Sequence, residues 1–165
     1  MHFAEPFNPL ALDFWLPVLT SVLCGGMIGL ERQLRGKPLD VRSGVLICLG
    51  THIFIRLGLT ASSHATGNVD PTRVLGQVVT GIGFLGAGVM LTRGKHVVGV
   101  TTASVIWVLA AIGASIGFEN YGSAIALTLV TLLVLNMLEI VENRVAKMRR
   151  GAHSKENNTV DRELD

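Results

Sequence analysis

The chain has 165 residues, of which 49% are hydrophobic and only 16% charged, well below the quarter-charged composition usual in soluble domains. Its net charge is +2, which gives no support for a nucleic-acid partner. The charges are also segregated, so long stretches carry none and the basic residues beside them read as topology signals.

A membrane-spanning helix needs about 20 mainly apolar residues. Five segments qualify, at about Phe14–Leu30, Gly44–Ala61, Val74–Leu91, Val97–Gly117 and Tyr121–Val141. In the bilayer core a helix satisfies its own backbone groups, so the composition predicts an all-α, polytopic bundle. The connections are short, which makes neighbouring helices antiparallel. The opening MHFAEPFNPLALD lacks the basic n-region of a cleavable signal peptide, so the first helix is expected to be retained.

Lys and Arg set the predicted orientation. The first connection holds Arg32, Arg35, Lys37 and Arg42, and the third holds Arg93 and Lys95. The C-terminal segment adds Arg144, Lys147, Arg149, Arg150, Lys155 and Arg162, all on the same side of a five-helix chain. The other side has only Arg73 outside the apolar segments. Cytoplasmic loops collect basic residues, which predicts an external N-terminus and a cytoplasmic C-terminus. The domain is expected to cover residues 1–150, followed by a disordered cytoplasmic tail at 151–165. That tail is polar and has no hydrophobic face.

Glycine is the main feature of the third segment, with Gly81, Gly83, Gly86 and Gly88 in GIGFLGAG. Each glycine inside a soluble helix costs roughly 1 kcal/mol against alanine, but in a membrane small residues let helix backbones approach closely. The same letters fit GxGxxG. A dinucleotide site would need a preceding strand and a soluble βαβ unit, and the sequence offers neither. Gly25 and Gly29, then Gly113 and Gly117, repeat the small-xxx-small spacing. These helices are expected to pack as a tight bundle, a dimer seam, or both.

Gln77 and Thr80 on the third helix and Thr101, Thr102 and Ser104 on the fourth could bond to their own helix carbonyls. Alternatively they line a polar seam between the two helices. Glu31, Arg32 and Arg42 could form an ion-paired cluster where the first helix meets the second. Asp70 precedes Pro71 and suits an N-cap. Arg56, inside the second segment, is expected to snorkel to the interface, and His52 lies one turn deeper. Cys24 and Cys48 read as buried small hydrophobes. Asn136 and Glu139 could bond to a neighbouring helix.

No carboxylate falls near the middle of any apolar segment, where ion-coupled carriers commonly place one. There is no nucleophile–base pair, HExxH or P-loop, so an enzyme is not expected, and neither is a bound cofactor.

The strings GMIGLERQLRGKPLDVRSGVLICLG, DPTRVLGQVVTGIGFLGAGVML and VVGVTTASVIWVLAAIG together resemble the MgtC/SapB family of bacterial inner-membrane proteins, over about Gly25–Gly117. The chain departs from the family pattern at Leu39, Asp40, Ser43 and Gly44, where many members read Ala-Gly and Thr-His, and Arg56 is also unusual. Longer members carry a C-terminal domain resembling ACT regulatory domains, which this chain is expected to lack. By matching motif, the resemblance implies importance for Glu31, Arg32, Gln33, Gly36, Lys37, Arg42, Asp70, Arg73, Gln77, Gly81, Gly83, Gly86, Gly88, Thr101 and Thr102. It also implies a role in adaptation to magnesium limitation or intracellular survival. The expected function is a non-enzymatic regulator in contact with another membrane protein, the F-type ATP synthase being one candidate. The alternative is a transporter or channel for Mg2+ or another small ion, with the third and fourth helices lining the path.

Overall fold

The computed structural model describes residues 12–64, 71–93 and 96–137. The expected tail, Asp70, Lys95, Glu139 and the distal basic cluster lie outside the described residues. In chain order the elements are α1 (Leu12–Leu34), α2 (Val41–His64), α3 (Pro71–Val89), β1 (Leu91–Arg93), β2 (His96–Val98) and α4 (Val100–Gly117). The fifth helix, α5, is described over Tyr121–Met137. Among the described residues four helices are long and apolar enough to cross a membrane, and the described part of α5 is a shorter apolar helix. The 23 residues of α1 extend about 34 Å, enough for a hydrocarbon core of about 30 Å. The chain is an all-α polytopic membrane protein.

The chain divides into two compact units, Met1–Leu129 and Val130–Asp165. Within the second, α5 continues to Met137 and Asn136 donates its amide to the Leu132 carbonyl at 2.7 Å. The first unit contains α1 to α4.

α2 is the central helix of this unit, packing chiefly against α1 and α4. Glycine makes both crossings possible. A Cβ on Gly25 would lie 2.5 Å from the Gly44 carbonyl oxygen, and one on Gly29 would lie 2.6 Å from that of Asp40. On the other side, a Cβ on Gly113 would strike the Cys48 carbonyl, and one on Gly117 would lie 2.6 Å from Cβ of Ile55. Ile28, Ile55, Leu109, Ile112 and Ile116 fill the space between and are fully buried.

α3 is peripheral. Of its described side-chain positions only Gly86 is buried, in ordinary contact with Ala103 of α4 at 3.7 Å. Near the other end, Val74 sits tightly over Gly58 of α2. Two apolar clefts flank the helix. One of about 470 Å3 separates it from α2, and one of about 320 Å3 separates it from α4.

Three of the boundaries that differ from the sequence expectation have a visible local cause. α1 runs on to Leu34 because Glu31–Leu34 are good helix formers, and it stops where Gly36 takes φ +64°. Lys37 N–H then reaches the Arg32 carbonyl and Gly36 N–H that of Gln33, both at 3.0 Å, which closes the end in a Schellman arrangement. α2 starts at Val41, three residues before the expected Gly44, because Asp40 Oδ1 accepts from Ser43 N–H at 2.8 Å as an N-cap. The third connection is a β-hairpin with Leu91 opposite Val98, so α4 begins at Val100 rather than Val97.

Candidate functional site

The functional candidates gather mainly at the end of the unit that carries the α1–α2 loop and the α3–α4 hairpin, here called the basic end. Glu31 and Arg32 lie in the last turn and a half of α1. Arg35 Nε lies 2.6 Å from Glu31 Oε1, an ion pair one helical turn apart. Neither carboxylate oxygen of Glu31 has an aligned hydrogen-bond donor, so the pairing is Coulombic. Arg32 is only 5% exposed. Its Nη2 donates to Thr102 Oγ1 at 3.4 Å, at the long limit of a hydrogen bond, and its Nε has no partner among the described residues. A guanidinium from α1 thus reaches across to the first turn of α4.

Arg42 is exposed and stands apart from this pair, so the expected cluster of Glu31, Arg32 and Arg42 is corrected to Glu31, Arg32 and Arg35, linked to Thr102. The reason is positional: Arg42 lies in the first turn of α2, where its neighbour is Asp40. Lys37 is exposed in the loop. Gln33 accepts the Val41 N–H on its side-chain carbonyl at 3.3 Å, tying the end of α1 to the start of α2. Gly36 has no packing role within the unit. Open space surrounds it, and its left-handed backbone is what the turn requires.

Asp40, which the sequence left without a role, caps α2. The Ser43 hydroxyl and N–H hold its carboxyl below the usual carboxylate range. A carboxyl with a lowered folded-state pKa stabilises above the unfolded value of about 3.9 and loses that effect as pH falls through the folded one. The cap should therefore be fully effective at neutral pH and fail only in acid below about pH 4. Thermal unfolding of Asp40→Ala and the parent chain should differ at pH 7 and converge as the pH drops below that point. A constant difference at all pH values would show that the carboxylate is not the cap.

Of the two readings of the α3 and α4 hydroxyls, bonding to their own helix carbonyls holds for Thr80 and Ser104 rather than a polar seam. Thr80 donates to Gly76 at 2.9 Å and Ser104 to Val100 at 3.0 Å. Thr101 is exposed. Thr102, about 100° further round the helix, turns to α1. Gln77 lines the α2–α3 cleft with Thr51, Gly50 and Gly81. Arg73 is exposed at the opposite end.

The glycine ladder also divides. Residues 81 and 83 are about 200° apart on a helix and cannot share a face. Gly81 opens onto the α2–α3 cleft and Gly86 meets α4, while Gly83 and Gly88 have nothing within 4 Å among the described residues. Close helix-to-helix packing within the unit therefore rests on Gly25, Gly29, Gly44, Gly58, Gly113 and Gly117, and on Gly86 more loosely. A different stripe faces outward. Gly76, Thr80, Gly83 and Ala87 recur at i, i+4, i+7 and i+11, and all four are exposed. Thr80 turns its hydroxyl back to Gly76, leaving small surfaces along three turns.

At the end opposite the basic one, Arg56 does not snorkel free but pairs with Glu119. Glu119 sits just past α4 with φ +64°. There its N–H and that of Asn120 close the helix on Ile116 and Ser115, the arrangement Gly36 serves on α1. The missed signal was a carboxylate in the α4–α5 turn, level with the part of α2 remote from the basic end. His52 is buried, and its Nδ1 has no hydrogen-bond partner among the described residues. Cys24 and Cys48 are free and buried. Among the described residues no three His, Cys, Asp or Glu side chains converge as a metal site.

This arrangement defines the class: a helical membrane protein with a charged group buried at one end and a lightly held, glycine-rich helix at its side. The chain belongs to the MgtC family, whose sequence profile matches residues 18–144. It is 43% identical over 148 residues to the Escherichia coli protein named putative magnesium transporter YhiD, covering 87% of this chain and 68% of that protein. It is 34% identical over 139 residues to Salmonella typhimurium protein MgtC, covering 84% of this chain and 58% of that one. An uncharacterized Haemophilus influenzae protein is 33% identical over 157 residues, 92% of this chain and 66% of its own length. The chain thus spans roughly three fifths to two thirds of these relatives. No solved structure matches.

Proposed function

We propose that this protein is a non-enzymatic regulator in the bacterial inner membrane, linked to magnesium limitation, and that it acts by docking one helix of another membrane protein against α3. The observation that carries this reading is the exposed stripe Gly76–Thr80–Gly83–Ala87, with open space beyond Gly76 and Gly83. Small residues at such spacing let a second helix approach backbone to backbone. Gly83→Leu should leave the fold unchanged and abolish complementation of a strain lacking the protein at low magnesium. Full activity in that variant would remove the stripe from the mechanism.

The basic end belongs in the cytoplasm on this reading. The Arg32–Thr102 contact supports one shared end for the two basic connections. A reporter fused after Asp165 and active only outside the cell would reverse the orientation.

A second reading, transport of Mg2+ or another small ion, draws on the printed name of the E. coli relative and on the cleft that Gln77 lines. Purified protein in liposomes holding a magnesium-sensitive dye tests it. Uptake that is lost in Gln77→Ala would favour transport. No uptake from folded protein would shift the weight to docking.

A further inference from the structure

The hairpin between α3 and α4 makes two physical demands that only one environment meets. Its register pairs Leu91 with Val98 and Thr92 with Val97. Paired residues share a face and successive ones alternate, so aliphatic groups stand on both sides. They are open: Leu91 is 63% exposed, Val97 58% and Val98 44%. The flanking Met90 and Val100 are exposed too. In water a two-stranded hairpin is marginal, and these side chains would favour leaving it.

The backbone makes the opposite demand. Each strand of a two-stranded ribbon has one unpaired edge, and unpaired N–H and C=O groups are not tolerated in lipid hydrocarbon. The hairpin therefore fits neither bulk water nor the acyl core.

Its position is fixed from below. The spans Thr72–Val89 and Val100–Gly117 end where the hairpin begins. Gly99 takes φ +91°, and a Cβ there would strike the Val89 carbonyl, so the chain leaving β2 folds directly onto the end of α3. Three residues per strand extend about 10 Å, the depth scale of the headgroup and acyl boundary, roughly 5–10 Å. Arg93 and Lys95 add positive charge to this stretch of the sequence, as an anionic leaflet favours.

We propose that the hairpin is an interfacial anchor that stands in the headgroup layer of the membrane, its open edges hydrated, with Leu91 and Val98 on one face and Val97 on the other reaching the acyl boundary. Its partner is an anionic phospholipid surface, and the anchor fixes the depth of the α3–α4 end in the bilayer.

The test uses the full chain in nanodiscs of mixed phosphatidylcholine and phosphatidylglycerol. Nitroxide labels go on Leu91→Cys and Val97→Cys. The parent chain, whose own cysteines are buried, serves as the blank. Collision with oxygen, which concentrates in lipid, is compared with collision with a water-soluble nickel chelate. Both labels should report a position just below the phosphates. Free access of the nickel chelate to both would place the hairpin in water and overturn the proposal. Shielding from both reagents, with disulfide-linked dimers forming at Val97→Cys, would show that a second copy covers it and would equally overturn it. Both positions are exposed, so the labels should not disturb the fold, which circular dichroism checks.

Discussion

Gly25→Leu is expected to destroy the folded protein. A Cβ at this position meets the Gly44 carbonyl oxygen at 2.5 Å and the Gly44 carbonyl carbon and Val45 Cα at 2.9 Å. All three atoms are backbone, so no rotamer change gives relief and the two helices must separate along their whole crossing. Overpacking a core typically costs about 1–3 kcal/mol and occasionally more, and rigid backbone contacts put this case at or beyond the top of that range. Gly83→Leu adds the same side chain where nothing lies within 4 Å and should keep parental stability. Unfolding midpoints of the two variants in detergent decide the matter. A stable, monodisperse Gly25→Leu would mean that α1 and α2 do not cross here.

Arg32→Met should have the opposite character, leaving stability intact and removing function. Arg32 is buried with one long hydrogen bond, to Thr102, and an unpaired Nε. A buried charge with few good partners contributes little to the fold, and apolar replacements of similar volume are often neutral or stabilising by about 1–4 kcal/mol. Methionine fills the stem volume without the desolvated charge. If Arg32 is kept for what it does between α1 and α4, complementation should fail while the unfolding midpoint holds or rises. Thr102→Val should then reproduce the functional loss. A fall in stability of about 3 kcal/mol, as when a well-paired buried charge loses its partner, would make Arg32 a structural residue.

The helices could be read from the sequence because apolar length is a local property, and hydrocarbon thickness sets a matching length scale. Which face of each helix meets which neighbour is not local. Thr101 and Thr102 are adjacent in the chain and point about 100° apart, so one is exposed and the other reaches Arg32. No pattern within α4 distinguishes α1 from α3 as the partner. The same limit applied to the glycines of α3, where a ladder in the sequence became separate faces in the fold. Arg56 reaches the end of the bundle as expected, but its partner could not be read locally, because Glu119 lies 63 residues away in a turn. The Asp40 cap was missed, although Asp just before an apolar run is a helix-start signal, because the basic loop beside it drew the helix start to Gly44. The hairpin was hidden because Leu91–Val98 is apolar enough to be absorbed into the spans on either side.

The central place of α2 has a consequence for how the protein is made. α2 settles against α1 and α4, so the helix synthesised directly after it does not become its main companion. A ribosome delivering this chain would release α1 and α2 as a pair that can close at once through Gly25 and Gly44. α3 would then enter the bilayer before the surface it touches at Gly86 exists. Held to α2 mainly where Val74 covers Gly58, it would stay largely open to lipid, and to whatever else is inserting nearby, until α4 emerges. Its small-residue stripe would thus be on offer from the first moments of biogenesis, and assembly with a partner could begin before the chain is finished.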